Sequence, residues 1–152
     1  MDEYVIVSFL SVPEYTDFKR SNWPLHLTVV GNFYTELKKE ELVDLLDKSV
    51  AGLKSLTVPS KTRQMFGSKH NLPVTELYRT EELQQFHTTV LNTFNQFIKT
   101  KTPQFNNDGY RPHITEKYDH KLTVGDNFQL QNVSLVKLEN ANALIIKTVE
   151  LN

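Results

Sequence analysis

One short pattern occurs twice in this chain. Trp23-Pro24-Leu25-His26-Leu27-Thr28-Val29 and Tyr110-Arg111-Pro112-His113-Ile114-Thr115-Glu116 each carry an aromatic residue three places before a histidine, a proline close by, and a threonine two places after it. The copies lie 87 residues apart in a chain of 152, so they belong to different halves of whatever fold forms. In a β-strand residues i and i+2 share a face. Each His-x-Thr therefore sets an imidazole beside a hydroxyl, with Leu27 and Ile114 turned to the opposite face. Two such strands brought together present two imidazoles and two hydroxyls to one cleft.

That set of groups matches the needs of phosphodiester cleavage. A base must take a proton from the attacking oxygen and an acid must give one to the leaving oxygen, and histidine does either near neutrality because its ordinary pKa is about 6.5. Hydroxyl donors aimed at the non-bridging oxygens stabilise the charge that builds in the transition state.

At these residues the sequence resembles the 2H phosphoesterase superfamily, the RNA 2′,5′-ligase-like or cyclic phosphodiesterase family, whose signature is two copies of His-x-Thr/Ser-x with hydrophobic x positions. The resemblance implies an α+β fold of two pseudo-symmetric lobes of antiparallel strands, helices packed outside, a central cleft between the motif strands, and no metal. It makes His26 and His113 the acid/base pair and Thr28 and Thr115 the phosphate holders, and leaves open which histidine is the base. It implies a metal-independent phosphodiesterase acting on a small nucleotide or RNA end: a 2′,3′-cyclic phosphate, a 2′,5′-linked oligonucleotide or a cyclic oligonucleotide signal, the last of these an anti-defence activity. The alternative is a non-catalytic module that binds or sequesters RNA or nucleotide. Glu116 stands where the family's second motif is hydrophobic, so this strand is expected to be short, exposed on that face, or using Glu116 as a polar contact.

The flanking residues have two readings each. Arg111 and Lys117, two before and four after His113, share its face if the strand reaches them, and either bind substrate phosphate or sit as solvated charges at a strand end. Trp23 and Tyr110 either stack on bases at the cleft mouth or pack where the lobes join. His70, His87 and His120 lack the following threonine and are given no role. Lys61 and Arg63 read as an exposed strand edge.

The rest of the chain supplies an α+β frame. Tyr4–Leu10, Leu25–Val30, Leu53–Val58, Thr62–Phe66, Leu72–Tyr78, His113–Tyr118, Leu122–Val124, Phe128–Leu138 and Ala143–Val149 are rich in β-branched and apolar residues and are bounded by turn residues such as Gly31, Pro59 and Gly67. Leu42, Leu45, Leu46, Val50 and Leu53 recur at helical spacing and predict a helix over 37–53. A second helix is expected from Thr80, an N-cap followed by Glu81 and Glu82, with Leu83, Phe86, Val90, Phe94 and Phe97 as its core stripe and Leu91 and Ile98 widening it. Thr100–Gly109 reads as loop. The elements do not alternate strictly, which favours helices on antiparallel sheet over a doubly wound parallel sheet. The whole, residues 1–152, is expected to be one domain.

Composition narrows the function further. The 17 Lys and Arg against 18 Asp and Glu leave a formal charge of −1, so the chain has no field to hold long duplex nucleic acid and its partner is expected to be a nucleotide or short oligonucleotide. With no cysteine there is no disulfide framework, thiolate metal site or thiol nucleophile. Gly-rich phosphate loops, His-Glu-x-x-His and Gly-x-Ser-x-Gly are absent, and no cofactor or metal is expected. The acidic start and strand-sized apolar runs predict a cytoplasmic protein that does not engage membranes.

Overall fold

A computed structural model describes residues 1–117 and 120–152. Its strands are β1 (Asp2–Phe9), β2 (Asp17–Lys19), β3 (His26–Thr35), β4 (Leu56–Phe66), β5 (Leu72–Leu77), β6 (Ile98–Thr100), β7 (His113–Thr115), β8 (Asn127–Leu130), β9 (Asn132–Glu139) and β10 (Asn142–Glu150). Two helices interrupt them, α1 (Lys39–Val50) and α2 (Glu81–Phe94). Leu42, Leu46 and Val50 form the buried stripe of α1, and the Lys38 amide donates to Glu41 Oε1 at 3.0 Å at its start. α2 opens on Thr80, whose Oγ1 accepts the Leu83 amide at 3.2 Å.

The strands make one mixed-length sheet in the order β2-β10-β9-β1-β3-β7-β5-β4-β8, open at both ends, and every named strand pair is antiparallel. Two lobes meet at its middle. β1, β2, β3, β6, β9 and β10 belong to one and β4, β5, β7 and β8 to the other, joined where Leu27 of β3 faces Ile114 of β7. Both helices lie on the back face, over a core that includes Leu27, Val29, Ile114, Phe86 and Phe94. A smaller apolar cluster, Val5, Val7, Phe9 and Val136 with Phe18 and Trp23 against it, covers the front of the first lobe.

On one side of β3 the sheet splits. β7 pairs with its first residues and β6 with its last, Phe33–Thr35 against Thr100–Ile98. Between them the carbonyls of Thr28 and Val29 are satisfied by side chains: Tyr110 Oη donates to the first at 2.7 Å and His87 Nδ1 to the second at 2.6 Å. The split leaves a cavity of about 810 Å³ under the loop that joins β6 to β7.

Several elements depart from the sequence reading. β3 runs past Gly31, taken up by register shifts between Tyr4 and Val7 of β1. Leu53–Val58 and Thr62–Phe66 are one strand, because Pro59 sits at the changeover from β8 to β5, where a missing amide is tolerated. α2 stops at Phe94. Its apolar spacing continues, but Asn95–Phe97 is a 3₁₀ turn that leaves Phe97 41% exposed, outside the core assigned to it, and Ile98 starts β6. The single run Phe128–Leu138 breaks at Gln131 into β8 and β9, one for each lobe. Leu122–Val124 is no strand, holding only a bridge from Val124 to Asp126. The strand begun at His113 ends at Thr115, and Tyr118, its expected end, lies outside the described residues.

Candidate active site

The register builds the site. With Leu27 opposite Ile114 in an antiparallel pair, His26 stands across from Thr115 and Thr28 across from His113, and the local two-fold between the strands exchanges one His-x-Thr with the other. All four side chains share the face opposite Leu27 and Ile114, both of which are buried in the core. The two histidines are then diagonal neighbours, a placement for which a regular ladder sets the Cβ atoms somewhat less than about 7–8 Å apart. The outer strands extend the pattern into two rows. Phe9 of β1 and Val74 of β5 flank His26 and Thr115, whereas Val7 and Glu76 flank Thr28 and His113.

Both rings are held the same way. Nδ1 of His26 lies 2.8 Å from the Pro24 carbonyl and Nδ1 of His113 lies 2.7 Å from the Arg111 carbonyl. A carbonyl only accepts, so each Nδ1 carries the proton and each Nε2 is the free nitrogen. In each copy the carbonyl belongs to the residue two places before the histidine, so the shared geometry follows from the shared upstream segment.

The surroundings separate two rings that the two-fold makes alike. Burial pushes His26 down to about 4, the hydrogen bond to Pro24 opposes this, and the positive charges of Lys117 and His113 lower it further. His113 is also lowered by burial; the hydrogen bond to the Arg111 carbonyl opposes this, the Arg111 guanidinium lowers it, and Glu76 beside it favours the charged form. The ammonium of Lys117 is itself lowered by burial.

The flanking candidates go to different places. Arg111 pairs with Glu76 Oε2 at 3.3 Å, lies 4.2 Å from the Phe66 ring centre, and lines the large cavity with Thr28 and His113. Lys117 and Trp23 line a smaller recess of about 330 Å³ at the other end of the motif strands. Trp23 packs 4.5 Å from the His26 ring and 4.8 Å from Phe18, centre to centre. Tyr110 is buried and stacked on His87 at 4.0 Å, centre to centre, in the junction between the lobes, and it lines the large cavity from there. Glu116, for which the sequence predicts a short strand, an exposed face or a polar contact, lies just past the three-residue β7 and makes a two-point contact with Arg63 at 2.7 and 3.2 Å, so Arg63 is a cross-strand partner as well as an edge residue.

Three residues passed over in the sequence belong to this region. His87 is buried, donates to Val29 and accepts the Asn107 amide on Nε2 at 3.0 Å, which pins the β6–β7 loop to α2. Its signal was a polar residue inside the stripe of Leu83, Phe86, Val90 and Leu91. Glu76 and Phe66, whose ring centre lies 4.8 Å from that of His113, carried no local signal.

Among the described residues no group of three or more His, Asp or Glu side chains is arranged to hold a metal ion, and no helix is long and apolar enough to cross a membrane.

A model of the 2′-5′ RNA ligase superfamily matches residues 7–132. No curated protein matches the chain in sequence. Among solved structures, a crystal structure described as a phosphoesterase aligns with a TM-score of 0.62 at 14% identity, covering 100% of this chain and 99% of that one. E. coli LigT complexed with 3′-AMP aligns with a TM-score of 0.60 at 12% identity, and LigT complexed with ATP with 0.58 at 13%, each covering 99% of this chain and 98% of that one. At these identities the structures show a shared fold.

Proposed function

The chain belongs to the 2′-5′ RNA ligase superfamily, and we propose that its cleft hydrolyses a small nucleotide or RNA-end phosphodiester by two-histidine general acid/base catalysis. The observation that carries this is the Leu27–Ile114 register, which puts two His-x-Thr units, related by a local two-fold, on one face. The phosphodiester is taken to lie over that face, with the hydroxyls of Thr28 and Thr115 donating to its non-bridging oxygens, each such donor contributing about 3 kcal/mol of transition-state stabilisation in a preorganised site.

The surroundings of the two rings support one division of the roles that the motif leaves open. His26, neutral at physiological pH beside Lys117, serves as base, and its Nε2 takes a proton from the attacking water as the new P–O bond forms. His113, supported by Glu76 and by the bound phosphate's negative charge, serves as acid. Its Nε2 gives a proton to the departing oxygen as the old P–O bond breaks. The products are a phosphate monoester and an alcohol, and proton exchange with solvent restores His26 and His113. Nucleotide binding by the LigT structures supports a small nucleotide as the partner.

The test is a hydrolysis screen in EDTA with 2′,3′-cyclic nucleotides, 2′,5′-linked oligonucleotides and cyclic oligonucleotides, comparing wild type with His26→Ala and His113→Ala. Turnover of one class, lost in both variants, is the expected result. Binding without turnover by wild type would make the protein a nucleotide-sequestering module.

A further inference from the structure

The two ends of the motif face differ, and the difference bears on which part of the substrate is recognised. Beyond Thr28 and His113 lies the cavity of about 810 Å³; beyond His26, on the Trp23 side, lies the recess of about 330 Å³ lined by Asn22, Tyr15 and Lys117. The large cavity is of nucleoside-binding size. Its walls hold apolar side chains out of the core: Met65 is 43% exposed, Leu72 44% and Phe105 49%, and all three line it with Phe66. Clustered exposed apolar groups mark a binding surface.

Neither wall is loose. Met65, Phe66 and Leu72 sit on the β4–β5 hairpin, whose turn uses Gly67 at φ +93. Phe105 rides on the β6–β7 loop, where Asn107 is held through its amide by His87 and through its carbonyl by Gln84 Nε2 at 2.7 Å. Arg79 caps the Asp108 and Tyr110 carbonyls of the same loop. Gly109 lets the Gln104 carbonyl approach so closely that any Cβ there would run into it. Two aromatic side chains, Phe66 and Phe105, are therefore held in place on a cavity that opens onto the reacting phosphate, an arrangement suited to a flat, partly apolar ring.

We infer that this cavity receives the nucleobase of the leaving group. The inference rests on the phosphodiesterase reading above. In displacement at phosphorus the attacking and leaving oxygens lie roughly in line on opposite sides. With His26 at the attacking side and His113 at the leaving side, the oxygen that His113 protonates belongs to the nucleoside on the cavity side. The narrower polar recess is left for the attacking water. Recognition is then one-sided: the base on the leaving nucleoside is read and the base on the other is not.

The experiment uses 2′,5′-linked diadenosine monophosphate and its two analogues in which one or the other base is deleted, with products resolved to identify the leaving nucleoside. Deleting the leaving base is expected to raise KM about 10-fold in wild type, the range of one stacked base, and deleting the other to change KM less than two-fold. Phe105→Ala, an exposed truncation, should raise KM for the full substrate by a similar factor, keep kcat, and erase the difference between the analogues. Equal KM for all three substrates in wild type, or dependence on the retained base, would overturn the inference while leaving the phosphodiesterase reading intact. If nothing is cleaved, the leaving-group assignment falls with that reading. Calorimetry then judges the cavity: Phe105→Ala weakening adenosine 3′-monophosphate but not inorganic phosphate keeps it as a base site, and equal weakening or none removes it.

Discussion

The hydroxyl of Tyr110 donates to the backbone carbonyl of Thr28 at 2.7 Å, so the residue three places before the second histidine fixes the residue two places after the first. This bond ties the two motif segments together beside the split in the sheet, where β7 no longer reaches β3. Burial raises the Tyr110 phenol, which stays protonated and donating. Tyr110→Phe keeps the stack on His87 and leaves the Thr28 carbonyl without its partner. Urea unfolding should show a loss of about 1–3 kcal/mol, and kcat should fall more than KM rises. Unchanged kcat with reduced stability would make Tyr110 a packing residue with no part in positioning Thr28.

The charges around the two histidines predict the pH–rate profile. The base His26 must be neutral, so kcat/KM rises as pH passes about 4. The acid His113 must be charged, and its pKa lies below the usual 6.5, so the alkaline limb of kcat/KM and the optimum of the free enzyme lie below 6.5. Lys117 depresses His26, so Lys117→Ala shifts the acid limb upward. Glu76 supports charged His113, so Glu76→Gln shifts the alkaline limb downward. Both variants narrow the bell, each from its own side, and a profile that moves as a block in either would contradict the assignment.

How much of this was legible depends on how local each feature is. The His-x-Thr faces were readable because alternation along a strand needs only the sequence, and the stripe of Leu42, Leu46 and Val50 gave α1 for the same reason. The Leu27–Ile114 register was not, because nothing in either segment says which strand lies beside it. The shared family pattern supplied that adjacency. Glu76 and Phe66 reach His113 only through the pairing of β5 with β7 and the hairpin it shares with β4, and the register shift between Ser60 and Thr62 hides which face of β4 looks where. Phe97 misled because apolar spacing outlasted the helix that gave it meaning.

Acid should destabilise the fold through its buried imidazoles. His26, His87 and His113 all have folded pKa values below the unfolded value of about 6.5, so their contribution to stability is fully present above that pH and is lost as pH falls toward the folded values. For His26 alone, a folded value of about 4 corresponds to a loss on the order of 3 kcal/mol by the time that value is passed. Melting temperatures measured from pH 7 to pH 4 should drop steadily, and His26→Gln should flatten the slope. Protonated His87 also loses its acceptor for the Asn107 amide, so exchange of amides in the 103–109 loop should quicken over the same interval. A flat stability profile would show that these rings titrate normally in the folded protein.

The account stands on two histidines working on one phosphate, and single-turnover cleavage by wild type, His26→Ala, His113→Ala and the double variant tests it most directly. Each single change is predicted to slow the chemical step about 10²–10⁴-fold with the fold intact by circular dichroism. The double variant should be little slower than the worse single one, because groups that act as a unit are not additive. Near-normal cleavage by either single variant, or losses that multiply in the double, would contradict it.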